Sequence, residues 1–347
     1  MTARTLPRNA AVGASPPGVG QGRGAIATLK QQAWWPWAKR LLTLTFFVLV
    51  AVLLWRYGRN VDWDDVLASV QDTPGPALLL AVALAATSHL LYSCFDLLGR
   101  YYTGHGLRTR VVMLVNFISY SFNLTLGSMV GGVAFRYRLY SRLGLDVGVI
   151  TRVVTMSMLT NWLGYLLLGG LLFLFHPLAL PPSWKMGNHG LQWVGALLVA
   201  LSIGYLVACI RAGGRRWAVR GHEIYLPQFR MAVLQLAMSC VNWSVMAALV
   251  YVLLQQKVPY TDVLSVLLVA AIAGVVAHVP GGLGVFEFIF VALLSHQVSE
   301  GRLLAALLGY RAIYYIAPML IASAAYLAFE LKARRGQLRN SGLKAAA

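Results

Sequence analysis

The sequence predicts an all-α polytopic membrane protein, with about six spanning helices and two oppositely oriented re-entrant helical hairpins in an inverted repeat. Three observations support this fold class: an apolar composition, long segments without charge, and basic residues confined to the connections. Of 347 residues, 59% are hydrophobic and 12% are charged, whereas soluble domains contain roughly 45–50% apolar residues. The alternative that fits the same hydropathy is a bundle of eight spanning helices.

Most of the apolar segments approach or exceed the roughly 20 residues that a spanning helix needs. Two of them, residues 111–135 and 263–299, are expected to form the hairpins. The six expected to span the membrane are residues 41–55, 73–95, 153–184, 186–210, 231–256 and 303–329.

The distribution of lysine and arginine predicts the topology, because cytoplasmic connections of membrane proteins are enriched in both residues. Placing the basic segments inside puts 23 Lys and Arg in the cytoplasm, together with both termini, and leaves five outside. Residues 111–135 then enter and leave from the cytoplasm, whereas residues 263–299 begin and end outside. The eight-helix alternative has to place either the arginines of 136–142 or those of 211–230 outside. The basic segments are 1–40, 97–110, 136–152, 211–230 and 331–347.

Each hairpin contains helix-breaking residues. Residues 277–288 read Ala-His-Val-Pro-Gly-Gly-Leu-Gly-Val-Phe-Glu-Phe, and Glu287 is the only charge between Asp262 and Glu300. Pro280 lacks a backbone N–H, and the glycines that follow disfavour helix. Broken backbone at membrane depth is tolerated only where protein buries it or a watery cavity solvates it. The break therefore indicates either a site or a packed kink with a satisfied glutamate. Residues 123–132, Asn-Leu-Thr-Leu-Gly-Ser-Met-Val-Gly-Gly, supply the other break.

A shift of 150 positions places Gly131 and Gly132 on Gly281 and Gly282, and Arg152 on Arg302. Identity under this shift is low, but the hydropathy coincides along the whole length. Inverted repeats of this kind are common in membrane carriers, although a coincidence of helix lengths in an eight-helix bundle would give the same match. The expected organisation is a disordered basic cytoplasmic tail (1–40), a first membrane repeat (41–184), a second inverted repeat (185–331) and a second basic cytoplasmic tail (332–347).

The candidate substrate-binding residues lie near the two breaks. After the first break, guanidinium groups and tyrosines suit an anionic phospholipid headgroup at the cytoplasmic surface, so replacing Arg136 and Arg138 by glutamine should weaken binding of anionic lipids. Positive-inside anchoring is the alternative for this segment. After the second break, Glu287 and Arg311 are expected to form an intramembrane ion pair, functional or purely structural. The candidates are Arg136, Arg138, Tyr140, Pro280, Gly281, Gly282, Gly284, Glu287, Tyr310 and Arg311.

No cofactor or metal is expected, and a catalytic role is disfavoured. Cys94, Cys209 and Cys240 are far apart and lack metal-ligand spacing, and His278 and His296 are scattered. The net charge of +18 flanks apolar segments and fills the tails, which favours anionic lipid over nucleic acid as a partner.

The motifs carry a family resemblance. Residues 280–287 (Pro-Gly-Gly-Leu-Gly-Val-Phe-Glu), residues 136–140 (Arg-Tyr-Arg-Leu-Tyr) and the tyrosines around Arg311 resemble the lysylphosphatidylglycerol synthase transmembrane-region family. That family includes flippase halves of bacterial aminoacyl-phosphatidylglycerol synthases and stand-alone inner-membrane proteins of the YbhN-like group. The resemblance covers about residues 41–331 and implies a bacterial inner-membrane protein that handles lipid across the bilayer.

The function expected on this basis is that of a flippase-like transporter of a phospholipid or related anionic lipid. No aminoacyl-transferase domain follows residue 331, so lipid lysylation by this chain is not expected. Two alternatives remain open: a non-transporting partner of a phospholipid-synthesising enzyme, and a membrane-embedded lipid-modifying enzyme.

The topology is testable with membrane-impermeant thiol reagents. After Cys94, Cys209 and Cys240 are replaced, a single cysteine at Ser299 should be labelled in intact cells. A single cysteine at Ser141 should be labelled only after the cytoplasmic side is opened, because basic segments stay inside. External labelling at Ser141 would contradict the re-entrant hairpin of residues 111–135.

Overall fold

The computed structural model describes residues 63–178, 188–212, 214, 216–219 and 222–345, and this part of the chain is almost entirely helical. The basic tail predicted for residues 1–40, the span predicted for residues 41–55 and the external connection around Lys185 lie outside the described residues. The other predicted membrane segments can be compared with the structure.

The first half of the described chain contains six α-helices and one π-helix. They are α1 (Trp63–Gln71), α2 (Gly75–Ser93), α3 (Phe95–Thr103), α4 (Thr109–Leu126), the first π-helix (Ser128–Ala134), α5 (Phe135–Arg142) and α6 (Val147–Phe175).

The second half adds six α-helices, a second π-helix and a two-stranded antiparallel sheet. They are α7 (Asn188–Ala212), β1 (Arg216–Val219), β2 (His222–Tyr225), α8 (Phe229–Leu253), α9 (Tyr260–Ala277), α10 (Val285–Leu294), α11 (Glu300–Tyr310), the second π-helix (Arg311–Ile316) and α12 (Ala317–Ala345). The β-hairpin lies within the basic segment 211–230, where no strand was predicted.

Among the described residues, six helical segments are long and apolar enough to cross a membrane. This confirms the predicted fold class of an all-α membrane protein. Five of them match predicted spans, and the sixth, α9, is the first arm of the second predicted hairpin. Re-entry of the two hairpins from one side of the membrane stays a prediction. The six segments are Gly75–Thr103, Val147–Phe175, His189–Ala212, Phe229–Leu253, Tyr260–Ala277 and Glu300–Leu331.

Glycines bring α6 close to its two neighbours. A Cβ atom on Gly164 would lie 2.3 Å from the hydroxyl oxygen of Ser239 on α8, and one on Gly170 would lie 2.9 Å from the backbone nitrogen of Val199 on α7. Small residues allow such close approach, and helix association in membranes depends on van der Waals packing. These contacts fix α6, α7 and α8 as a tightly packed group.

The structure confirms both predicted helix breaks. Helix α4 ends at Gly127, whose φ of 86° belongs to the left-handed region that favours glycine, and the first π-helix then packs back against α4. A Cβ on Gly131 would lie 2.2 Å from the backbone nitrogen of Asn123. Helix α9 ends at His278, which also has a positive φ, and α10 packs against α9 beyond a short 3₁₀ turn at Pro280–Gly282.

The two breaks also contact each other. A Cβ on Gly281 would lie 3.3 Å from the carbonyl oxygen of Leu124 and 3.6 Å from that of Thr125. Moved by 150 positions, α4 covers residues 259–276, one residue before α9. The helix bounds are therefore consistent with the predicted repeat.

The close approach at Gly131 has a measurable consequence. Gly131→Ala should destabilise the protein by about 1–3 kcal/mol or more, because backbone atoms cannot yield as a flexible side chain does. Gly148→Ala is the matched control, since a Cβ there meets nothing within 4 Å. Thermal unfolding of the purified variants in detergent should show a lower midpoint for Gly131→Ala alone. Equal midpoints would contradict the tight contact between the first π-helix and α4.

Candidate functional site

Arg136, at the start of α5, lies in a buried polar cluster rather than at the surface. Its side chain is 2% exposed. Nε donates to Asp96 Oδ2 at 3.1 Å, and Nη1 donates to the carbonyl of Gly132 at 2.9 Å. Nη2 donates to Asn116 Oδ1 at 2.7 Å and to Ser157 Oγ at 3.2 Å. At least four of its five N–H groups therefore bond to protein.

Tyr140 belongs to the same cluster. Its side chain is buried, and its hydroxyl donates to Asp96 Oδ2 at 2.8 Å. Asn116 Nδ2 also donates to Asp96, through Oδ1, at 2.9 Å. A fully buried carboxylate is tolerated when it is paired and hydrogen-bonded in this way. The cluster ties α3, α4 and α5 together behind the first break.

This geometry corrects the surface role predicted for Arg136 and Tyr140. Neither side chain is available to a headgroup, because each is buried and bonded to the carboxylate of Asp96. The other two arginines of the segment do reach the surface. Arg138 is 54% exposed with its guanidinium 3.7 Å from Glu330 on α12, and Arg142 is also ion-paired with Glu330.

The ion pair predicted at the second break is confirmed. Arg311 donates to Glu287 through both Nε and Nη2, the latter bond measuring 3.1 Å. Each side chain is about one-eighth exposed, at 12% for Arg311 and 14% for Glu287. Two parallel bonds of this kind are the strongest form of the arginine–carboxylate contact.

Arg311 also bonds to the broken backbone. Its Nη1 donates to the carbonyl of Gly281 at 2.9 Å, and Nη2 donates to that of Gly282 at 3.3 Å. Glu287 Oε2 in turn accepts from the backbone N–H of Gly284 at 2.8 Å, at the start of α10. The pair thus supplies partners to the turn that begins at Pro280. Sequence reasoning found the charges but not these backbone bonds.

Aromatic rings enclose the pair. The Arg311 guanidinium carbon lies 5.2 Å from the ring centre of Tyr315 and 5.9 Å from that of Phe286, within the range of cation–π attraction. Tyr310 is buried and stacks between Phe286 and Tyr314. Of the residues predicted around the second break, Pro280, Gly281, Gly282 and Gly284 contribute backbone, whereas Glu287, Tyr310 and Arg311 contribute side chains.

A second polar cluster, which the sequence did not indicate, lies beside this site. Tyr314 shares hydrogen bonds with Ser88 at 2.8 Å and with Tyr120 at 2.9 Å, and Ser88 donates to Asn242 Oδ1 at 2.8 Å. His89 Nε2 lies 3.1 Å from the carbonyl of Tyr314. The cluster joins α2, α4 and α8 to the second π-helix. Serine, asparagine and histidine within apolar runs were its only signal.

Both π-helices occur next to these clusters. The first runs from Ser128 to Ala134 and ends two residues before Arg136, and the second begins at Arg311. Short π-helical turns occur frequently at functional sites. Within the described residues, no group of three or more His, Cys, Asp or Glu could hold a metal ion.

Comparison with known proteins identifies a family that covers most of the chain. Residues 42–322 match the family described as the lysylphosphatidylglycerol synthase TM region. The inner membrane protein YbhN of Escherichia coli (strain K12) is 46% identical over 312 residues, covering 90% of this chain and 98% of YbhN. An uncharacterised protein of Synechocystis is 32% identical, covering 81% of this chain and 88% of that protein.

Longer proteins match as well. A phosphatidylglycerol lysyltransferase of Staphylococcus aureus (strain MRSA252) is 25% identical over 293 residues. The match covers 81% of this chain but only 33% of the lysyltransferase. This chain therefore corresponds to about a third of that relative's length.

The buried environment of Arg136 and the exposed environment of Arg138 predict different losses of stability when each arginine is replaced. Arg136→Gln should cost about 3–5 kcal/mol, because it leaves the buried carboxylate of Asp96 without its cation. Arg138→Gln removes an exposed charge and should change stability by about 0.5 kcal/mol or less. Thermal unfolding of both purified variants checks this. Equal effects, large or small, would contradict the buried cluster.

Proposed function

Since this chain belongs to the family of lysylphosphatidylglycerol synthase TM regions, we propose that it moves a phospholipid between the leaflets of a bacterial inner membrane. The relatives support this assignment. One is an inner membrane protein, and others are named for acting on phosphatidylglycerol, an anionic phospholipid. Their shared membrane region suits the handling of such a lipid.

One observation carries the proposal: the two helix breaks meet, with polar backbone from both at the junction. The carbonyls of Leu124 and Thr125, from the first break, lie close to Gly281. Arg311 bonds to the carbonyls of Gly281 and Gly282, from the second break. A phospholipid headgroup cannot cross hydrocarbon without polar partners, whereas its acyl chains remain in the bilayer. Contact between two breaks provides such partners at one place.

Arg311 is the residue suited to the headgroup phosphate. Guanidinium groups bind phosphate through paired hydrogen bonds, as Arg311 now binds Glu287. A phosphate that takes the place of the carboxylate would release Glu287, whose other bond is to Gly284 at the start of α10. In this proposal Glu287 and the lipid compete for one arginine, and the exchange loosens the second hairpin.

Arg136 is too deeply buried to capture a headgroup from the cytoplasmic leaflet. Arg138 and Arg142 remain candidates because their side chains are exposed and share the single carboxylate of Glu330. An anionic headgroup arriving from the cytoplasmic leaflet meets positive charge there. Arg136 instead holds the first break in place.

A second function has an observation of its own. In the staphylococcal lysyltransferase, the matched region is a third of a longer protein. A membrane region of this kind would present lipid to a phospholipid-synthesising enzyme. For this chain, the enzyme would be a separate partner protein. Presentation would require lipid binding at the same breaks without net movement between leaflets.

Reconstitution in liposomes tests the transport proposal. Purified protein should accelerate the loss of protected inner-leaflet signal from fluorescent phosphatidylglycerol when a reductant is added outside. Glu287→Gln should reduce the rate at least several-fold, because no carboxylate is then left to displace the bound phosphate from Arg311 and the lipid is not released. Lys257→Gln, an exposed single-charge change, is the matched control. Lipid movement equal to that in protein-free vesicles, for a folded wild-type protein, would reject transport and leave presentation.

Arg311→Lys gives a finer test. Lysine keeps the charge but cannot make two parallel bonds to Glu287 and also reach two carbonyls in the fixed geometry of a guanidinium. We expect a folded protein with slower transport. The double exchange Glu287→Arg with Arg311→Glu should also leave transport slow. A carboxylate at position 311 would face the carbonyls of Gly281 and Gly282 and could not donate to them. Full activity after the exchange would contradict the role of these backbone bonds.

A further inference from the structure

We infer that a groove between α2, α4 and the second π-helix binds one acyl chain of an anionic phospholipid, with its phosphate against Arg110. This inference rests on the proposed function and deepens it, because it gives the lipid a place to bind before its headgroup reaches the breaks.

The groove has a cavity volume of about 680 Å³, within the roughly 300–1,000 Å³ of typical small-ligand sites. All but three of its lining residues are apolar. The lining comes from α2, α4, the second π-helix and the start of α12, and its polar members are His89, Ser93 and Arg110.

The open side of the groove indicates its occupant. Val82, Leu90 and Ile321 line it and are more than half exposed, in helical segments long and apolar enough to lie in a membrane. In a bilayer the molecules that contact such a surface are lipids. An apolar groove bounded by α2, α4, the second π-helix and the start of α12 matches one acyl chain better than a compact polar solute.

The positive charge of Arg110 at one end of the groove indicates which class of lipid binds there. Arg110 lies in the first turn of α4, and Met113, Leu114 and Phe117 follow it along the groove. Its side chain is exposed, in a connection that the charge distribution places in the cytoplasm. Anionic lipids of the cytoplasmic leaflet are attracted by basic residues at this depth. An acyl chain in the groove would place its phosphate beside this guanidinium.

The inner wall of the groove connects it to the site. His89 is 4% exposed, and its Nε2 donates to the carbonyl of Tyr314, which can only accept. Ala312 and Ile313 of the wall directly follow Arg311. A bound acyl chain therefore packs against the same π-helix whose first residue holds the second break.

Photocrosslinking with two lipids tests the inference. Phosphatidylglycerol and phosphatidylethanolamine, each with a photoreactive group on one acyl chain, are added to the full-length protein in nanodiscs. Labelled residues are then mapped by mass spectrometry. Phosphatidylglycerol should label the groove residues in preference to the rest of the apolar surface, and phosphatidylethanolamine should label them less.

Two variants with matched controls complete the experiment. Arg110→Gln should reduce groove labelling by phosphatidylglycerol roughly tenfold, whereas Arg108→Gln, a neighbouring exposed arginine outside the groove, should not. Ala86→Trp fills the groove and should reduce labelling by both lipids, whereas Leu80→Trp, at an exposed position of the same helix outside the groove, should not.

Even labelling around the protein, or labelling that no groove variant changes, would overturn the inference and reduce the groove to ordinary lipid contact. Equal labelling by both lipids in the wild type would overturn the role of Arg110. Groove-specific labelling by a protein that moves no lipid in liposomes would support the inference and reject transport. The two proposals can therefore fail separately.

Discussion

A broken helix in hydrocarbon must find partners for its exposed backbone, and in this protein arginine side chains supply them. Arg311 donates to the carbonyls of Gly281 and Gly282, and Arg136 donates to that of Gly132. Each arginine needs a carboxylate nearby, since an isolated cation is costly at this depth. Glu287 and Asp96 fill that role. Charge in the apolar region is thus first a requirement of the fold.

The two arginines differ in how firmly they are held, and this difference separates structure from function. Arg136 is 2% exposed and bonded on all sides within a cluster of neutral and acidic groups. Arg311 is more accessible, and its partners lie on a turn of glycines and on the first turn of α10. Both side chains of the Arg311–Glu287 pair keep some solvent exposure, whereas those of the Arg136–Asp96 pair have almost none. In the proposed function, lipid binding is therefore assigned to the second break.

The second break and its ion pair could be predicted from the sequence, because helix breakers and charges are rare within long apolar segments. Proline, glycines and one glutamate within a long apolar run identified the second break, and Arg311 was the one charge in the next run. The partner of Arg136 was missed, since Asp96 lies 40 positions earlier at the end of a span and nothing local connects them. The groove and the cluster around Tyr314 were missed for the same reason: they form only when distant helices pack.

Hydrogen–deuterium exchange in nanodiscs most directly tests whether the Arg311 bonds close the second break. The backbone amides of residues 278–287 should exchange slowly in the wild type, since Arg311 and Glu287 hold this turn together. In Arg311→Gln they should exchange much faster, while those of Val147–Phe175 should be unchanged. Equally slow exchange at residues 278–287 in both proteins would show that the break stays closed without the arginine, and would contradict its role.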